Sequence, residues 1–131
     1  MRARLREDTG AAVIEFVMMS ALLVMLLLAV LQVAIYFYAR NVTAASAADA
    51  ARYAAAEGID PGAGAARAEE LIRRSTGLVT VHCTSRTGRD AVTGLLTSTV
   101  HCRGRVRVLF LPLELPLTID VHASVLKERA P

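Results

Sequence analysis

The chain has no tryptophan, only two cysteines and only three histidines among its 131 residues. Two cysteines exclude a disulfide-dense scaffold and any four-cysteine zinc or iron–sulfur site. Three histidines leave little material for a histidine-rich metal centre, and no metal or cofactor is expected. Aromatic residues make up 5%, too few for the stacking platforms of single-stranded nucleic-acid binders. Charged residues make up 21% and the net charge is +3, a mild basic bias short of a nucleic-acid footprint. No G-x-S-x-G, H-E-x-x-H, Walker A or Rossmann fingerprint occurs. No catalytic residue is therefore nominated, and the chain reads as a non-enzyme. Hydrophobic residues make up 54%, which excludes a disordered chain, and the length is that of about one domain.

The excess hydrophobicity sits in one place. From Phe16 to Ala39 the sequence runs without a charge, and only Ser20 and Gln32 are polar. This exceeds the ~20 residues that a helix needs to cross the hydrocarbon core. Tyr36, Phe37 and Tyr38 cluster at its far end, as an interfacial belt does. A cleaved secretory signal has a shorter apolar core followed by small residues; this run is of spanning length and is followed by Tyr-Phe-Tyr-Ala-Arg, so it reads as a retained single span. Arg2, Arg4 and Arg6 precede it, against Arg40 and Arg52 after it. That bias places the N-terminus in the cytoplasm and the bulk of the chain outside a cytoplasmic (inner) membrane.

Beyond the span, residues 41–57 contain nine alanines, and nothing opposes a helix until Gly58. The expectation is one long helix over 11–57. Asp60-Pro61 reads as N-cap and first position of a second helix ending near Ser75, with Gly77 as its stop and Leu71 and Ile72 as its core contacts. After Gly77 the period falls to two. Strands are predicted over Leu78–Thr84, Val100–Phe110 and Leu117–Leu126, with a polar connector over 85–97 and Pro112 and Pro116 bracketing a link. In the last strand Leu117, Ile119, Val121, Ala123 and Val125 share one face; Thr118, Asp120, His122 and Ser124 share the other. The fold class is thus α+β and membrane-anchored. A leader (1–10) precedes a transmembrane and extended helix (11–57), then a small head (58–131) with one short helix and a three-stranded antiparallel sheet.

Val81-His82-Cys83 returns as Val100-His101-Cys102. On paired strands Cys83 and Cys102 can form a cross-strand disulfide, which an oxidising compartment preserves and a small core needs. A zinc site from His82, Cys83, His101 and Cys102 is the alternative, but adjacent strand residues point to opposite faces. The same geometry opposes a Cys–His nucleophilic pair; free buried thiols are the third option. Glu69-Glu70 reads as a solvated helix face. The Arg103, Arg105 and Arg107 stripe reads as a wet sheet face, with Asp120 as a cross-strand partner, rather than as a DNA-binding stripe.

Glu15 interrupts the apolar run about one turn after it resumes at Ala11. By itself it fits either a headgroup position near the helix start or an acid held for a cationic partner. Here a resemblance enters. Thr9-Gly10-Ala11-Ala12-Val13-Ile14-Glu15-Phe16, after a basic leader and before a long apolar helix, resembles a type IV prepilin processing site. The alanine-rich stretch Ala47–Ala55, with its Ala-Arg-Tyr-Ala, and the C-terminal β pair make the chain similar to the TadE-like proteins of Flp (Tad) pilus assembly. The resemblance implies cleavage between Gly10 and Ala11 by a membrane prepilin peptidase. Glu15, followed by Phe16, would then set the register against other pilin or pseudopilin subunits. It implies a minor pseudopilin or membrane-anchored assembly component, partnered by the lipid bilayer and by no nucleic acid. The competing reading is an uncleaved bitopic envelope protein whose head binds another protein.

Overall fold

A computed structural model of the chain describes the backbone of residues 4–109 and 117–127, with side chains from Gly10 onward. The order is α1 (Arg4–Ala55), α2 (Ala63–Ser75), β1 (Val79–Arg89), β2 (Leu96–Val106) and β3 (Thr118–Leu126). The chain forms two compact units, residues 1–34 and 35–131.

The described residues of the first unit, 4–34, all belong to α1. Its large apolar side chains are exposed, from Val13 and Phe16 through Met25 to Val33. A water-soluble protein rarely leaves such a continuous apolar surface bare. By length and composition α1 is a candidate membrane span, and lipid is the solvent that suits this surface. The helix begins before the predicted residue 11, because Arg4, Leu5, Arg6 and Glu7 are all good helix formers with no Gly or Pro among them. The predicted leader Met1–Gly10 is therefore helical from Arg4; Met1–Ala3 lie outside the described residues. α1 ends at Ala55, two residues before the predicted end. Ala56 N–H donates to the Tyr53 carbonyl at 3.2 Å, and Gly58 takes a positive φ of 76° that turns the chain away.

The second unit contains the rest of α1, then α2 and the sheet. The strands are antiparallel in the order β1-β2-β3. One sheet face carries the core: Val100, Cys102 and Val106 from β2, Cys83 from β1, and Ile119 and Val121 from β3. Against it lie Ala68 and Ile72 of α2 and a stripe of alanines on α1, among them Ala39, Ala47, Ala50 and Ala51. The alanines are thus not only helix formers. Their spacing of three and four puts them on one side of α1, and their small side chains let a neighbouring backbone come close. Gly64 of α2 marks the tightest approach. A Cβ built there would lie 2.8 Å from Ala54 Cβ, 2.8 Å from Ser85 Oγ and 3.2 Å from Val100 Cγ2.

Several predicted boundaries shift. α2 starts at Ala63 rather than at Pro61, because Asp60 forms a turn first: its Oδ1 accepts from Gly62 N–H at 2.7 Å and its carbonyl from Ala63 N–H. Gly64, Ala68 and Ile72 are its buried row; Leu71 is only half-buried. β1 runs on to Arg89, and the predicted connector 85–97 contracts to residues 90–95. Thr84, Ser85, Arg86 and Thr87 look like loop by polarity, yet they alternate between the two faces. Asp90 closes the hairpin, its Oδ1 accepting from Val92 N–H (2.9 Å) and Thr93 N–H (2.8 Å). These backbone donors, Thr93 first and then Val92, hold the Asp90 carboxyl below the usual carboxylate range. β2 runs from Leu96 to Val106 instead of Val100 to Phe110; Phe110, Pro112 and Pro116 lie outside the described residues. β3 matches its predicted faces, with Ile119 and Val121 buried and Thr118, Asp120 and His122 exposed.

Candidate assembly segment and the pinned sheet

Gly10, Ala11, Glu15 and Phe16 all lie on α1 and all are exposed. Ala11 and Glu15 stand one turn apart on the same side of the helix. Gly10 is in the helical interior, where glycine costs about 0.5–1 kcal/mol relative to alanine. No heavy atom lies within 4 Å of where its Cβ would be.

In the second unit, Cys83 and Cys102 face each other in register and are joined by a disulfide, their Cα atoms 4.1 Å apart. The Val-His-Cys echo is what the register centres on. Because the strands are antiparallel, the two triplets run apart from the shared cysteine row. Val81 meets Gly104, and His82 meets Arg103. The histidines take the opposite face from the cysteines. The zinc alternative fails on this geometry, since both thiols are in one bond and the imidazoles lie across the sheet. Among the described residues no group of three or more His, Cys, Asp or Glu is placed to hold a metal ion.

All three histidines come to the outer face of the sheet. His82, Arg103 and Asp120 form one cross-strand row; Thr84, His101 and His122 form the next. Asp120 is the hub. Its Oδ2 accepts from Arg103 Nε (2.9 Å) and Nη2 (2.8 Å), and its Oδ1 lies 2.5 Å from His101 Nε2. The hydrogen bond to His101, followed by that from Arg103, holds the Asp120 carboxyl below its ordinary range. Asp120 thus partners the arginine stripe as its strand position predicts, and it also takes in His101, which the alternation alone did not show.

Two further contacts were not legible in the sequence. Glu69 is more than a solvated helix residue. The cysteine row is a non-hydrogen-bonded position of the β1–β2 ladder, so Cys83 N–H points outward from β1. Glu69 Oε1 accepts that N–H at 2.7 Å and lies 3.3 Å from His82 Nδ1. It thereby blocks part of an open sheet edge. Glu70, its neighbour, behaves as expected and pairs with Arg73 and Arg74, the two guanidinium groups lowering its carboxyl pKa in that order. The second contact is on the alanine-rich stretch. Asp49 and Tyr53, one turn apart on α1, both meet Arg67 of α2. Asp49 Oδ2 is 3.8 Å from its Nε, and the Tyr53 ring centroid is 5.8 Å from its Cζ.

Residues 10–52 match the model of the TadE-like protein family. This stretch is TadE-like. The match begins at Gly10, runs through the whole apolar part of α1 and takes in Asp49. The α2–sheet region lies outside the TadE-like stretch. Neither a curated protein nor a solved structure matches the chain.

Proposed function

We propose that the chain is a non-catalytic minor pseudopilin or membrane-anchored assembly component of a Tad (Flp)-type pilus. The observation that carries the reading is Glu15 five residues after Gly10, at the start of an exposed apolar helix, inside a TadE-like stretch that begins at Gly10. A prepilin peptidase cutting after Gly10 creates an ammonium group on Ala11, one turn from Glu15. In lipid the helix is stored among acyl chains. In an assembly it exchanges them for the apolar sides of other pilin helices. A carboxylate among such helices is costly without a cation, and the new ammonium of a neighbouring subunit is one. Glu15 then fixes the stagger between subunits. In this reading the N-terminus starts in the cytoplasm, and the α/β unit lies outside the inner membrane and caps, primes or adapts the filament.

The test is the intact mass of the membrane-extracted protein from cells with and without the prepilin peptidase. The expected result is a chain beginning at Ala11 only when the peptidase is present. A chain retaining Met1–Gly10 in both strains would overturn the pseudopilin reading and leave an uncleaved anchored binding module.

A further inference from the structure

The outer face of the sheet carries a shallow depression of about 400 Å³ lined by Thr84, Arg86, Thr99, His101 and His122. The register explains it: two adjacent cross-strand rows, Thr84–His101–His122 and Arg86–Thr99–Ser124, supply these side chains from three strands. Their polar groups are unequally used. His101 is engaged by Asp120, and Thr99 shares a hydrogen bond with Ser124 at 2.9 Å. Among the described residues Arg86, His122 and the Thr84 hydroxyl have no side-chain partner. The one carboxylate nearby, Asp120, is already committed to His101 and Arg103.

We propose that this depression binds a phosphoryl group, with Arg86 supplying the fixed charge, His122 a ring N–H, and Thr84 a hydroxyl donor. Arginine's planar fork matches a tetrahedral oxyanion, and hydroxyl and imidazole donors complete its coordination. The surroundings argue against a protein surface as occupant. From Thr80 to Gly88, Thr97 to Arg105 and Thr118 to Leu126, the outward residues include no Phe, Tyr or Trp, and their one aliphatic side chain is Leu126, across from Thr97 at the far end of β3. Protein interfaces centre on such residues. What this face offers is donors and positive charge around a hollow. The proposal does not depend on the pilus reading, because it rests on residues outside the TadE-like stretch.

The full chain in micelles of an uncharged detergent, with isotope-labelled histidine rings, tests it by NMR titration with pyrophosphate. The expected result is a saturable shift of the His122 and His101 rings with little change at His82. Arg86→Gln should weaken binding about three- to tenfold, and Arg105→Gln, on the same face but outside the depression, should weaken it less. An unmoved His82 signal verifies that the variants are folded. Nanodiscs separate the sources. Shifts that appear in phosphatidylglycerol but not phosphatidylcholine discs, before pyrophosphate is added, assign the group to a lipid headgroup. Shifts that require the soluble anion in both assign it to a soluble carrier. No saturable shift in any arm, or equal weakening by Arg86→Gln and Arg105→Gln, overturns the site.

Discussion

At the scale of single residues, small size and fixed charge decide more than hydrophobicity. Gly64 sits in the first turn of α2, where helix propensity alone favours alanine by at most about 1 kcal/mol. The close approach opposes that gain. An added methyl would meet Ala54 Cβ and Ser85 Oγ at 2.8 Å, and Ala54 has no rotamer with which to give way. Overpacking of this kind typically costs 1–3 kcal/mol. Gly64→Ala should therefore lower the thermal midpoint of the α/β unit, whereas a surface glycine such as Gly77, with nothing within 4 Å, should tolerate the same change. Asp120 supplies the pH-dependent counterpart. Its carboxyl is held low in the folded state by His101 first and Arg103 second, so the unfolded chain takes up its proton more readily. Its contribution is present above the ordinary carboxylate range, near pH ~4, and is lost as pH falls through the lower folded value. Asp90 acts in the same direction through the hairpin amides. A plot of melting temperature against pH should fall on the acid side, and Asp120→Asn should flatten that fall. An unchanged acid limb in the variant would show that the hub contributes nothing.

At the scale of elements, the disulfide is the staple of the sheet. Cys83 and Cys102 are separated by 19 residues, and cross-linking a loop of that length restricts the unfolded chain by roughly 3 kcal/mol. The double variant Cys83→Ala, Cys102→Ala should lower stability by about that amount in denaturant titration. A much smaller loss would mean that the β1–β2 hairpin is already held by Asp90 and the ladder. The same elements show what a sequence can express. The apolar run was legible because length and continuity are properties of the chain itself. β3 was legible because Ile119, Val121 and their polar alternates repeat at period two. The sequence pattern ends β1 at Thr84 because Thr84–Thr87 are polar on both faces; Ser85 and Thr87 nevertheless turn inward, and only pairing with Val100 and Ser98 keeps them in a strand. The helix start at Ala63 was displaced because Asp60 can serve a turn or a cap with the same oxygen. The row containing both His101 and His122 depends on register between β2 and β3, which no local pattern records. The role of Glu69 escapes a local pattern for a similar reason: as an acceptor it needs the outward N–H of Cys83, which the pairing of the disulfide row sets.

At the scale of the whole molecule, two units are stabilised by different solvents. In the first unit the apolar side chains from Val13 onward are exposed and gain from lipid or from other helices. Residues 35–131 bury their own core and gain from the disulfide. Loss of one should therefore leave the other. Reduction of the Cys83–Cys102 bond in detergent should speed hydrogen exchange across Val79–Leu126 while the amides of residues 12–34 stay protected by the surrounding micelle. Simultaneous loss of protection in both would refute two separately stabilised units. The converse experiment addresses assembly. Glu15→Leu removes the only acidic side chain in residues 11–34 without touching the core of the second unit. Its disulfide and melting temperature should be unchanged, and membrane insertion should be eased, because a carboxylate is disfavoured in hydrocarbon. On the proposed pseudopilin reading, pilus formation should be lost nonetheless, because no acid would remain near the helix start to set the register. If the variant inserts, folds and still assembles pili, Glu15 sets no register, and the exposed helix serves as an anchor alone.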